Sequence, residues 1–90
     1  MVKATPMDAQ ALGLFALATA VSDERRAMRF LDLTGIGTDE LRRRAGDPRL
    51  LAALIAFLEA HEPDLISVAS EIGVEPAALA ATRRELERGS

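Results

Sequence analysis

His61 is the only histidine in this 90-residue chain, and Glu59, Glu62 and Asp64 surround it. Carboxylates beside an imidazole could hold a metal ion. The spacing works against that chemistry. These groups straddle a helix end and the turn at Pro63, and no second histidine completes a ligand set. A protonated His61 near the last carbonyls of a helix is the reading that the position favours. Nucleophilic catalysis has no better footing. Ser22, Ser67, Ser70, Thr5, Thr19, Thr34, Thr38 and Thr82 fall at expected caps or on helix surfaces, none beside His61 in sequence. The chain has no cysteine, which excludes disulfides, thiolate metal sites and thiol nucleophiles. An enzyme also needs a concave pocket, which short helices rarely spare at this length. The expectation is therefore a non-enzyme with no catalytic residue, metal or cofactor.

Arginine outnumbers lysine ten to one, Lys3 being the single lysine. Arg42, Arg43, Arg44 and Arg49 form the densest cluster, and Arg25, Arg26 and Arg29 form another. Successive helical residues point in different directions, so a triplet is not a three-pronged site. Asp39, Glu40 and Asp47 lie close enough in sequence to pair with the triplet, which favours a solvated face. The alternative, an acidic partner or nucleotide held by Arg42, Arg43 and Arg49, lacks a phosphate-cradling loop. Gly35-Ile36-Gly37 has neither the strand nor the lysine that such loops require. Net charge is −3 and the pI about 5.1, so the field of the whole molecule repels phosphate backbones and acidic membranes.

Ala69, Gly73 and Leu79 fit the spacing of a helix-turn-helix, with Val74 as the apolar plug of the turn. In this stretch the chain resembles bacterial helix-turn-helix regulators. Reading a groove needs side chains that bond to base edges, and phosphate contact needs cations. Glu75, Pro76, Ala77, Ala78, Ala80 and Ala81 supply neither. Arg83 and Arg84, with Arg88 beyond, arrive two turns into the helix. DNA binding through these three arginines is the alternative function; nucleic acid is not the expected partner.

The elements around these residues follow from caps and periodicity. Thr5-Pro6 opens a first helix running to about Val21, and Ser22 or Asp23 caps a second that stops at Gly35. Thr38 caps a short third helix over 39–44, with acids in its first turn and arginines in its last. Asp47-Pro48 opens a fourth that runs to about Ala60, Pro63-Asp64 a fifth ending near Gly73, and Pro76 a sixth reaching about Arg88. No segment alternates with a period of two, so the fold is expected to be all-α. The expected architecture is one domain over 1–90, a compact orthogonal bundle of five to six short helices, with 1–5 and 88–90 frayed. Thr34-Gly35-Ile36 and Ile72-Gly73-Val74 lie 38 residues apart (73 minus 35), each followed by a leucine six positions past the glycine. Leu12 and Leu50, Leu17 and Ile55, Ala27 and Leu65, Met28 and Ile66, and Phe30 and Val68 match at the same offset. The bundle thus reads as two related helix-turn-helix halves.

The first and fourth helices carry apolar residues all round, which buries a helix on several sides. In so small a domain, either the other four helices wrap both or one lends a face to a partner. Leu14, Phe15, Leu17 and Val21, then Ile55 and Phe57, are the contact candidates, and each is equally a core candidate. The uncharged run from Ala9 to Val21 is too short to span a membrane, which takes about 20 apolar residues. Ala18-Thr19-Ala20 has the pattern of a signal-peptide cleavage site. Asp8 and Gln10 stand where the hydrophobic region would begin, so the expected location is cytoplasmic, with no membrane partner.

Arg29-Phe30-Leu31, Thr34-Gly35-Ile36, Leu41-Arg42, Asp47-Pro48 and the run from Leu51 to Leu58, followed by Glu62, Leu65 and the turn from Gly73 to Pro76, carry a second resemblance. Over roughly 12–86 the chain is similar to domain of unknown function 3572, a bacterial family of small helical proteins. The resemblance implies a soluble helical bundle and assigns no activity and no functional residue. The function expected is a protein-interaction or structural module, self-associating as a homodimer or docking to a larger protein.

Overall fold

The computed structural model describes residues 8–88, and all regular structure among them is helical. Six helices follow one another: α1 (Ala9–Val21), α2 (Glu24–Thr34), α3 (Thr38–Arg43), α4 (Pro48–Glu59), α5 (Glu62–Ile72) and α6 (Pro76–Glu87). The expected all-α bundle is thus observed. The cap expected at Thr5-Pro6 lies outside the described residues. Asp8 caps α1, its side chain accepting from the Ala11 amide at 2.8 Å.

Asp23 and Asp47 do the same for α2 and α4, accepting from the amides of Arg26 and Arg49. Those amide bonds, ahead of the nearby arginines, hold both carboxyls below their ordinary range. Pro48 and Pro76 stand in the first turns of their helices, where a missing amide hydrogen costs nothing. Two expectations need correcting. Gly37, not Thr38, is the cap of α3 and provides no side-chain bond, because Thr38 is already helical. His61 caps α5, whose helical residues begin at Glu62.

The two halves match closely. Adding 38 to the bounds of α2 gives those of α5, and both helices end on a glycine in the left-handed region, Gly35 at φ 74° and Gly73 at φ 91°. Only glycine adopts that conformation at little cost, so each stops its helix and turns the chain. Burial follows the repeat as well. Leu12 and Leu50, Leu17 and Ile55, and Phe30 and Val68 are buried as pairs, while Met28 and Ile66 are both half exposed.

Equivalent positions also meet each other across the core. A Cβ built on Gly13 would stand 3.2 Å from the Cβ of Leu51, its counterpart at the same offset, and 3.3 Å from Leu86 Cδ1. Gly13 therefore lets α1 cross α4 and α6 at close range. A glycine inside a helix costs about 1 kcal/mol relative to alanine. Close packing of α1 on Leu51 and Leu86 offsets that loss.

The halves are unequal in one respect. α6 has 12 residues and buries Leu79, Thr82 and Leu86, packing against both α4 and α1. α3 has six residues and buries none. Its chain must turn at Gly46 because Asp47-Pro48 already begins α4, and Gln10 Nε2 ties that turn to α1 by donating to the Gly46 carbonyl at 2.5 Å.

The close approach at Gly13 can be tested by replacing it with valine, which drives two γ-carbons toward Leu51. The expected loss is at least about 2 kcal/mol of unfolding free energy, read by urea denaturation followed by circular dichroism. An unchanged midpoint would mean that α1 does not sit this close to α4.

Candidate functional site

The unequal lengths of α3 and α6 leave a groove. α4 is the more deeply buried of the two apolar helices: Leu50, Leu51, Ala52, Leu54, Ile55 and Leu58 are all buried, and only Arg49, Ala53 and Ala56 are exposed. Among the described residues α1 is covered on one side only. Leu12, Ala16, Leu17 and Ala20 face the core, whereas Leu14 is 39% exposed and Phe15 53%. Between α1, α2 and α3 lies a hollow of about 430 Å³. Leu14, Leu17, Ala18 and Val21 form one wall, Ala27 and Leu31 the second, and Thr38, Leu41, Arg42 and Ala45 the third. Ala11, Leu14, Phe15 and Ala18 form a second hollow that shares Leu14 and Ala18 with the first. The groove and the ridge beside it are therefore one continuous apolar face, and among the described residues Arg42 is the only charged one lining it. Arg42 Nη1 already lies 3.3 Å from Asp39 Oδ1.

The contact candidates read from the sequence divide cleanly. Leu14 and Phe15 are on this face, and Val21 is half-buried at its edge. Ile55 belongs to the core, 0% exposed, which corrects its place as a surface candidate, while Leu17, 6% exposed, is a core residue that also lines the groove. Phe57 is half-buried and meets Phe30 edge-on, ring centroids 5.3 Å apart, under the guanidinium of Arg29. It belongs to another face. Ala27, Leu31 and Leu41 stood out in the sequence as repeat or family positions but not as contact candidates, because nothing short of the α1–α2–α3 packing brings them together.

A polar cluster lies elsewhere. Arg26 is buried, its Nε 3.3 Å from Asp64 Oδ1, and Arg29 bonds the other oxygen of Asp64. Arg26 and Asp64 occupy equivalent positions, 38 residues apart, so this ion pair joins the two halves as the contact of Gly13 with Leu51 does. The His61 ring is exposed, Nε2 lying 3.9 Å from Asp64 Oδ2. The reading of His61 at the end of α4 is corrected: its backbone amide, not its ring, meets those carbonyls, donating to Leu58. Among the described residues no group of three or more histidines and acids could hold a metal ion. Thr34, Thr82 and Ser22 spend their hydroxyls on helix carbonyls one turn back.

Arg42 and Arg44 are paired as expected, Arg42 with Asp39 and Arg44 with Glu40 at 3.3 Å and Asp47 at 3.2 Å. Arg42 and Arg49 line different hollows, so the nucleotide alternative has no assembled site. α5 and α6 cross at 95° about Gly73, with Ala69 and Leu79 wholly buried and the Val74 amide bonded to the Ala69 carbonyl. That is the shape of a helix-turn-helix, yet two of its three candidate cations are engaged by glutamates. Arg83 bonds Glu59 and Glu87, which raises the pKa of its guanidinium further, and Arg88 bonds Glu85. Arg84 is exposed. Among the described residues no single helix is long and apolar enough to cross a membrane.

Asp64 offers a direct test of the polar cluster. Removing it leaves the buried Arg26 without its counter-charge, so Asp64→Ala should cost about 3 kcal/mol, while Arg26→Met with Asp64→Leu should cost far less. Equal losses in the two proteins, measured by urea unfolding, would contradict the pairing.

No curated protein and no solved structure matches the chain. A family model does, over residues 6–89, under the description "Protein of unknown function (DUF3572)". That match covers nearly the whole chain, including all six helices. The protein belongs to the DUF3572 family.

Proposed function

We propose that the protein is an interaction module that contacts another protein through the outer face of α1. One observation carries this reading: α1 has no charged residue over 13 positions, and Leu14 and Phe15 on it face solvent beside an apolar groove. Scattered exposed apolar residues are ordinary, but a continuous apolar ridge and groove favours a contact surface. Covering it removes area from water at about 25 cal/mol per Å². Binding needs no rearrangement of the backbone, since the face is preformed.

A partner matching this face is itself apolar and uncharged opposite α1. The helix-turn-helix alternative is supported only by the crossing of α5 and α6. Net negative charge and the engagement of Arg83 and Arg88 with glutamates weigh against duplex DNA.

Incorporating a photo-crosslinking phenylalanine analogue at Phe15 tests the reading inside the native cell, with the same analogue at the exposed Ala77 of α6 as control. The expected outcome is a protein adduct from position 15 and none from position 77. No adduct from position 15, or equal adducts from both, would overturn the assignment.

A further inference from the structure

We propose that the occupant of the groove is α1 of a second copy, reciprocally, in a two-fold dimer that seats each Phe15 in the other protomer's groove. This rests on the contact face proposed above and names what covers it.

The internal repeat shows what kind of object the groove accommodates. Adding 38 carries groove residues Leu14, Leu17, Leu31 and Leu41 onto Ala52, Ile55, Ala69 and Leu79, all of them buried, while Phe15 and Ala18 fall on Ala53 and Ala56, both exposed. Val21 and Ala45 fall on Glu59 and Arg83, which bond each other and lock α6 onto α4. In the second half, the groove is closed by a 12-residue helix; in the first half, α3 stops after six. What is missing over α1 is about two turns of apolar helix surface.

Among the exposed faces, α1 supplies such a surface. Ala11, Leu14, Phe15 and Ala18 follow the i, i+3, i+4, i+7 spacing of a packing stripe. Phe15 projects beside Leu14 and Ala18, which are also walls of the groove, so knob and hole lie on one patch. A two-fold axis pairs such a patch with itself. The hollow of about 430 Å³ is ample for a phenyl ring, since an apolar cavity of about 150 Å³ accepts benzene.

Charge points the same way. A two-fold contact sets residues near their own copies, where any charge on α1 would repel itself; α1 carries none. A different protein would ordinarily be selected by complementary charges around the contact. Here the one lining cation, Arg42, is already held by Asp39. Antiparallel packing of α1 on its copy also opposes the helix dipoles favourably. The area required is modest. A small specific interface buries about 500 Å² per partner, roughly a tenth of the 5444 Å² surface.

Sedimentation equilibrium of the full chain, recorded by interference optics because Trp and Tyr are absent, tests the proposal. The expected result is a monomer–dimer equilibrium within about 1–200 µM, weakened at least about tenfold by Phe15→Glu. Helicity and the urea midpoint, measured at a concentration low enough that the chain is monomeric, should be unchanged by that substitution, because the residue is exposed in the monomer. Met28→Glu, on the outer side of α2, should leave dimerisation unaffected. A monomer throughout this range, a dimer indifferent to Phe15→Glu, or open-ended assembly would overturn the two-fold pairing. A monomer whose position 15 nevertheless crosslinks a different protein in cells would end this proposal and leave the interaction module standing. A monomer with no crosslink would end both.

Discussion

A helix with no charge along its length must be covered, and the covering of α1 decides the shape of this molecule. Gly13 permits the close approach that buries one side of α1 against Leu51 of α4 and Leu86 of α6. That contact fixes where α6 can lie, and α6 in turn closes α4. Among the described residues none closes α1 from its other side, because the chain from Arg44 to Pro48 turns directly into α4. The exposed face of α1 is thus a consequence of connectivity. The apolar surface was placed on the helix, and the covering helix was cut to six residues.

The same economy appears in the ionic contacts. Arg26 and Asp64 link α2 to α5 at equivalent positions, where a hydrophobic pair would pack as readily. A buried charge tolerates one partner in one geometry, so the pair restricts how the halves dock. Arg83 between Glu59 and Glu87 does for α4 and α6 what no pair does for α1 and α3. The side-chain ion pairs between α2 and α5 and between α4 and α6 therefore fall on the seam and on the closed half, while Arg42, paired locally with Asp39, is the charge that lines the open face among the described residues.

Much of the fold was legible in the residues. Gly35 and Gly73 announced helix stops because a left-handed turn demands glycine, and Asp47-Pro48 and Pro76 announced starts by cap chemistry. The repeat of 38 was visible in paired leucines and proved to describe burial too. Asp8 was misplaced inside the first helix because Thr5-Pro6 offers an equally good start. His61 was misjudged because a residue between two helices is both the end of one and the cap of the next. The candidate face was half legible. A helix apolar all round has no phase, so periodicity could not say that Leu14 and Phe15 turn outward while Leu17 turns in. Ile55 was indistinguishable from Phe15 for the same reason: only the packing of the helices separates the buried position from the exposed one. The pairing of Arg26 with Asp64 needed the docking of two helices, which no local spacing encodes.

The central claim is that α1 is enclosed on one side and open on the other. Solvent paramagnetic relaxation of methyl signals by a soluble gadolinium chelate, in dilute solution, measures it most directly. Strong broadening of Leu14, with Leu17, Leu54, Ile55 and Leu79 protected, is the expected pattern. Leu14 protected as fully as Leu17 would show that the first half is closed after all, and the open face would not exist.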